Sequence, residues 1–307
     1  MSAAIPLILG PTGAGKTDLA LRLAERHDLE IVSVDSAMVY RGMDIGTGKP
    51  PPDVLRRHPH HLVDILDPAQ AYSAGQFVRD ARRAIEDIRG RGKLPLLVGG
   101  TMLYFRALRR GLADMPAADP QVRAAIDAEA GLRGWPALHA DLASLDPQSA
   151  RRIQPNDAQR IQRAIEVHRL TGKTLTQLHT EQHVSSDLTF AAYAWVPSER
   201  ERLYAAIEQR LHAMMRAGLL DEVRKLFERG DLHADLPAIR SVGYRQLWEH
   251  LSGKETLESA LQRAIFATRH LARRQLIWLR AEPDIKWLDA LESDAVAHMD
   301  NAITQLQ

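Results

Sequence analysis

The residues with the plainest chemistry are Gly10-Pro11-Thr12-Gly13-Ala14-Gly15-Lys16-Thr17, which satisfy G-x-x-x-x-G-K-[ST]. Glycines allow successive amides of such a turn to point inward, and the helix that follows adds its partial positive end. Lys16 supplies a mobile cation for a terminal phosphate, and Thr17 offers a hydroxyl to a magnesium ion. The pattern predicts a P-loop holding a diphosphate or triphosphate. The only asparagines, Asn156 and Asn301, are not followed by lysine, so the guanine-reading Asn-Lys-x-Asp of GTPases is missing.

The loop needs a strand before it and a helix after it, and the sequence offers both. Ala3 to Leu9 is a short apolar run, and Lys16 to Arg26 carries Leu19, Ala20, Leu23 and Ala24 at helical spacing. Glu30 to Val34 reads as a second strand ending at Asp35, and Leu94 to Val98 as a third, stopped by Gly99-Gly100. Between them Ser73 to Arg89 is an amphipathic helix, and another begins at Thr101. Strands alternating with helices imply a parallel α/β sheet with right-handed crossovers, and ligands of such sheets sit at the carboxyl ends of the strands. The turns at the P-loop, Asp35 and Thr101 are therefore expected to meet in one crevice. There Asp35 is placed to bind magnesium, abstract a proton or cap its own turn. Thr101 is placed to meet a phosphate oxygen or to cap a helix.

Near Met115-Pro116 the pattern turns helical and stays so to about His179, and a β-like run returns at Phe190 to Val196. We read residues 1–115 and 186–307 as a P-loop NTPase-like α/β core with C-terminal helices. Residues 116–185 read as a helical insertion domain, and the chain after Leu288 as a loosely attached tail. His58, His60 and His61 have no acidic or further histidine partner at metal-site spacing.

At 307 residues, 45% hydrophobic and 26% charged, the composition is that of a soluble globular protein. There are no cysteines, which excludes disulfides, thiolate zinc sites and cysteine nucleophiles. No membrane span or signal sequence is legible, and the expected setting is the cytoplasm. The net charge is only +1, but residues 150–173 hold six Lys/Arg against two Asp/Glu, and residues 240–280 hold eight against three. Two basic segments in a near-neutral chain suggest faces for a polyanion. On these grounds alone an ATP- and magnesium-dependent P-loop kinase of a small metabolite or nucleotide remains open. So does a non-catalytic RNA-binding protein.

Several stretches taken together decide between these readings. They are GPTGAGKT (10–17), DSAMVYRGMDIGTGKP (35–50), HHLVDILDP (60–68), LLVGGTMLYFRAL (96–108), NDAQRIQRAIEV (156–167), SVGYRQ (241–246) and ATRHLARRQLIWLR (267–280). In this order they resemble the bacterial tRNA dimethylallyltransferases, or tRNA isopentenyltransferases. The resemblance implies transfer of a dimethylallyl group from dimethylallyl diphosphate to the exocyclic N6 amine of the adenosine 3′ of the anticodon. It implies that Gly10 to Thr17 hold the donor's diphosphate with Mg2+ at Thr17, and that Asp35 meets the reacting amine as general base. Ser36, Ala37 and Met38 would line the adenosine, and Thr101 would face the reaction centre. Arg123, then Gln159, Arg160, Ile161, Gln162 and Arg163, and then Arg240, Ser241, Val242, Gly243, Tyr244 and Arg245 would contact tRNA. The expected partner is the anticodon stem-loop, and nothing demands more than a monomer.

Two departures stand out. The family often has Ala-Ser where this chain has Gly13-Ala14, and often Gln where it has Met38. Residue geometry agrees with the assignment. On an ideal helix, Gln159, Arg160 and Arg163 fall within an arc of about 100° opposite Ile161 and Ile165, while Arg269, Arg273 and Arg280 share a stripe of about 40°.

Overall fold

The computed structural model describes residues 4–111, 115–181 and 187–307. Ala3, where the first apolar run starts, and residues 185 and 186, where the expected insertion meets the core, lie outside the described residues. The chain divides into two compact units, Met1–Arg109 with Asp187–Gln307, and Arg110–Ser186.

The discontinuous unit begins with β1 (Ile5–Leu9), α1 (Lys16–Ala24), β2 (Leu29–Val34), α2 (Pro52–Arg57), β3 (His60–His61), α3 (Ala74–Gly90), β4 (Leu94–Gly99) and α4 (Met102–Arg110). The continuous unit holds α5 (Pro120–Arg133), α6 (Trp135–Leu145), α7 (Pro147–Arg152), α8 (Ala158–Thr171) and α9 (Leu175–Glu181). The chain then returns through β5 (Phe190–Val196), α10 (Arg200–Arg216), α11 (Leu219–Phe227), α12 (Tyr244–Leu251), α13 (Leu257–Arg280), β6 (Ile285–Asp289) and α14 (Ala295–Thr304).

The six strands form one sheet in the order β3-β2-β4-β1-β5-β6, and every pairing is parallel. Its central strands are buried on both faces, which is why β1 reads as a continuous apolar run, while β2 also buries Glu30 and Ser33. Alternate residues of β1 serve opposite cores. Ile5, Leu7 and Leu9 pack with Phe77, Ile85 and Ile88 of α3 and with Phe105 of α4, while Ile8 packs with α1, α10 and α14. The start of α3 is fixed locally: Ser73 Oγ accepts from Gln76 N, and Gln76 Oε1 accepts from Ser73 N, a reciprocal capping box. A third cluster joins Val39, Tyr40 and Met43 to α11, α12 and the first half of α13, and the continuous unit has its own core around Ile126, Leu138, Leu142 and Ile161. Among the described residues no helix is long and apolar enough to cross a membrane.

The end of the chain departs from expectation. Residues beyond Leu288 are not a loose tail: β6 extends the sheet beside β5, and α14 closes one face with Ala295, Met299 and Ile303 completely buried. The strand Ile285-Lys286-Trp287-Leu288-Asp289 lies at the sheet's edge and is half exposed, so its apolar signal is diluted. His61 is spent on Glu30, whose Oε2 lies 2.7 Å from its Nε2. Met299→Ala is expected to cost about 2–5 kcal/mol, as deletion of a buried methionine side chain does. Urea unfolding checks this, and a loss within about 0.5 kcal/mol would mean that α14 is not part of the core.

Candidate active site

Parallel strands bring all their carboxyl ends to one edge, and three of the resulting turns are tied together there. Thr101 N donates to Val34 O at 3.1 Å, so the β4 turn is pinned to the end of β2. Ser36 N donates to Thr101 Oγ1 at 3.1 Å. Asp35 Oδ1 accepts from Ala37 N at 2.8 Å and Met38 N at 3.2 Å, shaping the turn beyond β2. Its Oδ2 has no partner among the described residues. Met38 is half-buried, with its sulfur 3.7 Å from Ser33 Oγ.

The glycine loop leaves β1 and enters α1 through Gly15, whose φ of 81° favours glycine because a Cβ there would crowd the backbone. No side chain caps α1. The amides of Gly13, Gly15, Lys16 and Thr17 donate to no described group, so uncommitted donors collect at the positive end of the helix. Lys16 arches back over the loop, its Nζ donating to Pro11 O at 2.8 Å. Enclosure lowers its pKa to about 8, with the Asp35 carboxylate opposing that fall and the Arg210 charge adding to it.

One side chain joins the loop to the β4 turn. Gln275 of α13 accepts from Thr12 N at 2.9 Å and donates its amide to Gly100 O at 2.9 Å. Sequence reasoning missed its role. The available signal was a polar residue on the same helical stripe as buried Ala272 and Leu279.

Arg210 of α10 was also missed, and it carried no distinguishing signal. Its guanidinium lies against Gly48, where a Cβ would fall 1.9 Å from Nη2, and it donates to Thr47 O at 3.4 Å. It keeps an exposed surface, yet crowding desolvates the guanidinium and lowers its pKa, against the pull of Asp35 and Asp18. The loop beside it is held by Glu222, which accepts from the amides of Asp44, Ile45 and Gly46 and from the Tyr244 hydroxyl. Lys49 is buried in the same loop on Tyr40 O, Asp44 and Asp64.

The residues expected at RNA divide sharply. In the continuous unit Gln159 and Arg160 are exposed, with Arg160 paired to Asp157, and Gln162 donates to Asp127 at 2.6 Å. Arg123 and Arg163 both bind Glu166. Ile161 is 0% exposed, its side chain in the core of that unit. In the discontinuous unit Arg240 is exposed, Ser241 and Val242 are half-buried, and exposed Arg245 pairs with Glu249. Tyr244 is 0% exposed with its hydroxyl on Glu222, and Gly243 is buried at the start of α12. Of the α13 stripe, Arg273 and Arg280 are exposed, while Arg269 is drawn to Glu208 at 2.7 Å and lies over the Tyr204 ring.

A parallel sheet of P-loop type, with an uncapped glycine loop facing an acidic turn and a threonine turn, defines a class of proteins that act on phosphate esters. Within that class the chain belongs to the IPP transferase family, whose pattern it matches over residues 38–282, and residues 3–61 match isopentenyl transferase. A tRNA dimethylallyltransferase of Bordetella petrii is 52% identical to it over 100% of this chain and 99% of that protein. One of Burkholderia mallei is 52% identical over 98% of this chain and 94% of that protein. Among solved structures, the full-length tRNA isopentenylpyrophosphate transferase from Bacillus halodurans aligns with TM-score 0.72 and 35% identity over 99% of this chain and 97% of that one. A eukaryotic dimethylallyltransferase acting on tRNA aligns with TM-score 0.79 and 27% identity over 99% of this chain and 77% of that one. These findings favour the prenyltransferase reading over the kinase.

Gln275→Leu leaves Thr12 N and Gly100 O without partners, at a cost of about 1–3 kcal/mol for each group that water does not reach. Exchange of the Thr12 amide, which donates to Gln275, is expected to accelerate about tenfold or more in the variant. Unchanged exchange would mean that the loop keeps its shape without the bridge.

Proposed function

We propose that this chain transfers a dimethylallyl group from dimethylallyl diphosphate to N6 of the adenosine 3′-adjacent to the anticodon of tRNA, releasing diphosphate. The observation that carries the reading is the meeting of the glycine loop, Asp35 and Thr101 at one sheet edge. It is supported by full-length likeness to proteins named for this reaction.

In this reading the free amides of the loop and the Lys16 ammonium receive the donor's diphosphate, and Arg210 faces the same charge from α10. The allylic carbon–oxygen bond breaks with its electron pair leaving on the diphosphate. Stabilising that charge in a preset, partly desolvated cradle is the main catalytic effect. The N6 lone pair forms the new carbon–nitrogen bond, and the N6 proton passes to Asp35, whose Oδ2 is uncommitted while Oδ1 is held by two amides. Thr101 fixes the Ser36 amide and so the turn that lines the adenosine. An adenine stacked in the anticodon loop does not reach such a crevice, so the base is flipped into it.

Magnesium suits this donor set: Thr17 offers a hard oxygen, and magnesium is commonly held by few protein oxygens together with substrate phosphates. When bound it would neutralise diphosphate charge. The basic helices contribute RNA contacts, with Gln159, Arg160, Arg123 and Arg163 from the continuous unit and Arg240 and Arg245 from the other. An enzyme of this substrate works where tRNA is, in the cytoplasm, and we read it as a monomer.

The test is an assay with two labelled donors. Purified protein, magnesium and an unmodified tRNA receive either labelled dimethylallyl diphosphate or labelled ATP. Label enters the RNA from the prenyl donor alone; no transfer from it, with ATP consumed once small acceptors are supplied, would overturn the reading. Asp35→Asn is expected to lower turnover by about a hundredfold or more while tRNA affinity stays within a few fold. A defect confined to tRNA affinity would remove Asp35 from the chemistry.

Lys16 gives a pH dependence with a definite sign. The charged form captures diphosphate, and its pKa of about 8 in the free protein lies below the ordinary lysine value. kcat/KM for the prenyl donor is therefore full below about pH 8 and falls about tenfold per unit above it. Lys16→Arg, which stays charged, moves that fall out of range. A flat wild-type profile up to about pH 9 would exclude Lys16 as the group that titrates.

A further inference from the structure

Glu166 is a buried acid that the reaction does not use. It lies on α8, one turn beyond Arg163, and its side chain is 0% exposed. Four donors from three residues converge on it. Oε1 accepts from Arg123 Nε at 2.8 Å and from Asp119 N at 2.9 Å. Oε2 accepts from Arg163 Nη1 at 2.8 Å and Arg123 Nη2 at 3.1 Å. Arg123 therefore meets the carboxylate in a two-pronged fork, the geometry that fixes a guanidinium in plane. Arg163 is fixed as well, because its Nη2 donates to Pro116 O at 2.8 Å.

Burial alone would raise the carboxyl's pKa. The hydrogen bonds from Arg123, Arg163 and the Asp119 amide outweigh that and hold it below the usual glutamate range. The carboxylate stays charged, and the arginines stay bound to it.

The arrangement costs more than it needs to if its only purpose is to hold the helices together, because two charged groups have been brought to one buried acid where apolar packing would serve. The arginines are not buried with their partner. Their side chains remain 40% and 29% exposed. Arg123 Nη1 and Arg163 Nε have no hydrogen bond among the described residues. Two guanidiniums against one carboxylate also leave a net positive charge. The cluster is thus a pair of arginines from different helices, locked in mutual register, with spare donors and charge turned to solvent.

We propose that Glu166 is a positioning residue for tRNA: it presets Arg123 and Arg163 as one rigid phosphate-binding pair. This rests on the tRNA reading above and adds to it the residue through which two of its RNA contacts act. A preset pair loses little side-chain freedom on binding, whereas free arginines would each have to be ordered at that moment.

The sign of the effect separates positioning from plain electrostatics. Removing a carboxylate makes the surface more positive, which by charge alone tightens a polyanion. Positioning predicts the opposite. In the full chain, Glu166→Gln is expected to raise Kd for a labelled anticodon stem-loop and KM for tRNA about tenfold, while KM for the prenyl donor moves less than about twofold. The same substitution made in an Arg123→Ala, Arg163→Ala background should not weaken RNA binding further, since only the charge effect is left there.

Arg123→Lys is the companion variant, made at a half-exposed position where folding is least at risk. It keeps the charge but loses the fork, and is expected to weaken RNA binding about tenfold as well. Thermal unfolding of each variant is recorded alongside. If Arg123→Lys binds like wild type, or Glu166→Gln binds as well or more tightly, or Glu166→Gln lowers the melting temperature with unchanged RNA affinity, the proposal is overturned. A wild-type chain that transfers no prenyl group refutes the activity instead, and the two failures are told apart by that single control.

Discussion

The parallel pairing of β1, β2 and β4 is the constraint on which the rest of the molecule depends. Parallel strands must all end at the same edge, and each must be followed by a crossover that carries the chain away. Three turns are thereby placed side by side without any side chain having to bring them together. What the side chains add is registration. Thr101 holds the Ser36 amide, Asp35 folds its own turn, and Gln275 stitches the glycine loop to Gly100. Each uses a neutral or half-committed group, so the loop amides, Lys16 and one oxygen of Asp35 remain for chemistry.

Around this edge the charges are arranged in tension. Lys16, Asp35 and Arg210 feel one another, and burial works against the lysine's charge more strongly than Asp35 supports it. Negative charge brought to this edge would relieve that tension, because the free protein lacks it there. Glu222 and Lys49 do the reverse job a short distance along the chain. They satisfy the loop of residues 44–49 internally, so that this second glycine-rich segment is a rigid wall for Arg210.

Legibility in the sequence followed the physics of each element. Strands buried on both faces are written mostly in apolar residues, with Glu30 and Ser33 the polar exceptions in β2, and the glycine loop by residues that few other structures need, so β1, β2, β4 and the P-loop could be read directly. The edge strand β6 could not, because half of its residues face solvent, and α14 was missed with it. Side chains that act by bridging, such as Gln275, Arg210 and Glu166, carry no spacing rule. Their partners are 175 and 163 residues away for the first two, and 43 residues away for Arg123 and Glu166. Motif resemblance marked Ile161 and Tyr244 as part of an RNA face because they sit inside the right stretches. A stretch includes the residues that anchor it, and these two are anchors.

The interruption of one unit by the other has a consequence for how the protein is made. β1 must wait for β5, which leaves the ribosome after the whole helical unit has been synthesised, since Ile8 pairs with Tyr193. The helical unit is one continuous stretch with its own core, so all the contacts that build it are available before the sheet is complete. During that interval the first strands stand with an open edge and uncovered apolar faces, the condition in which chains aggregate or recruit chaperones. The centre of the sheet, which is the most buried part of the finished molecule, is thus the part that stays unfinished longest during its birth.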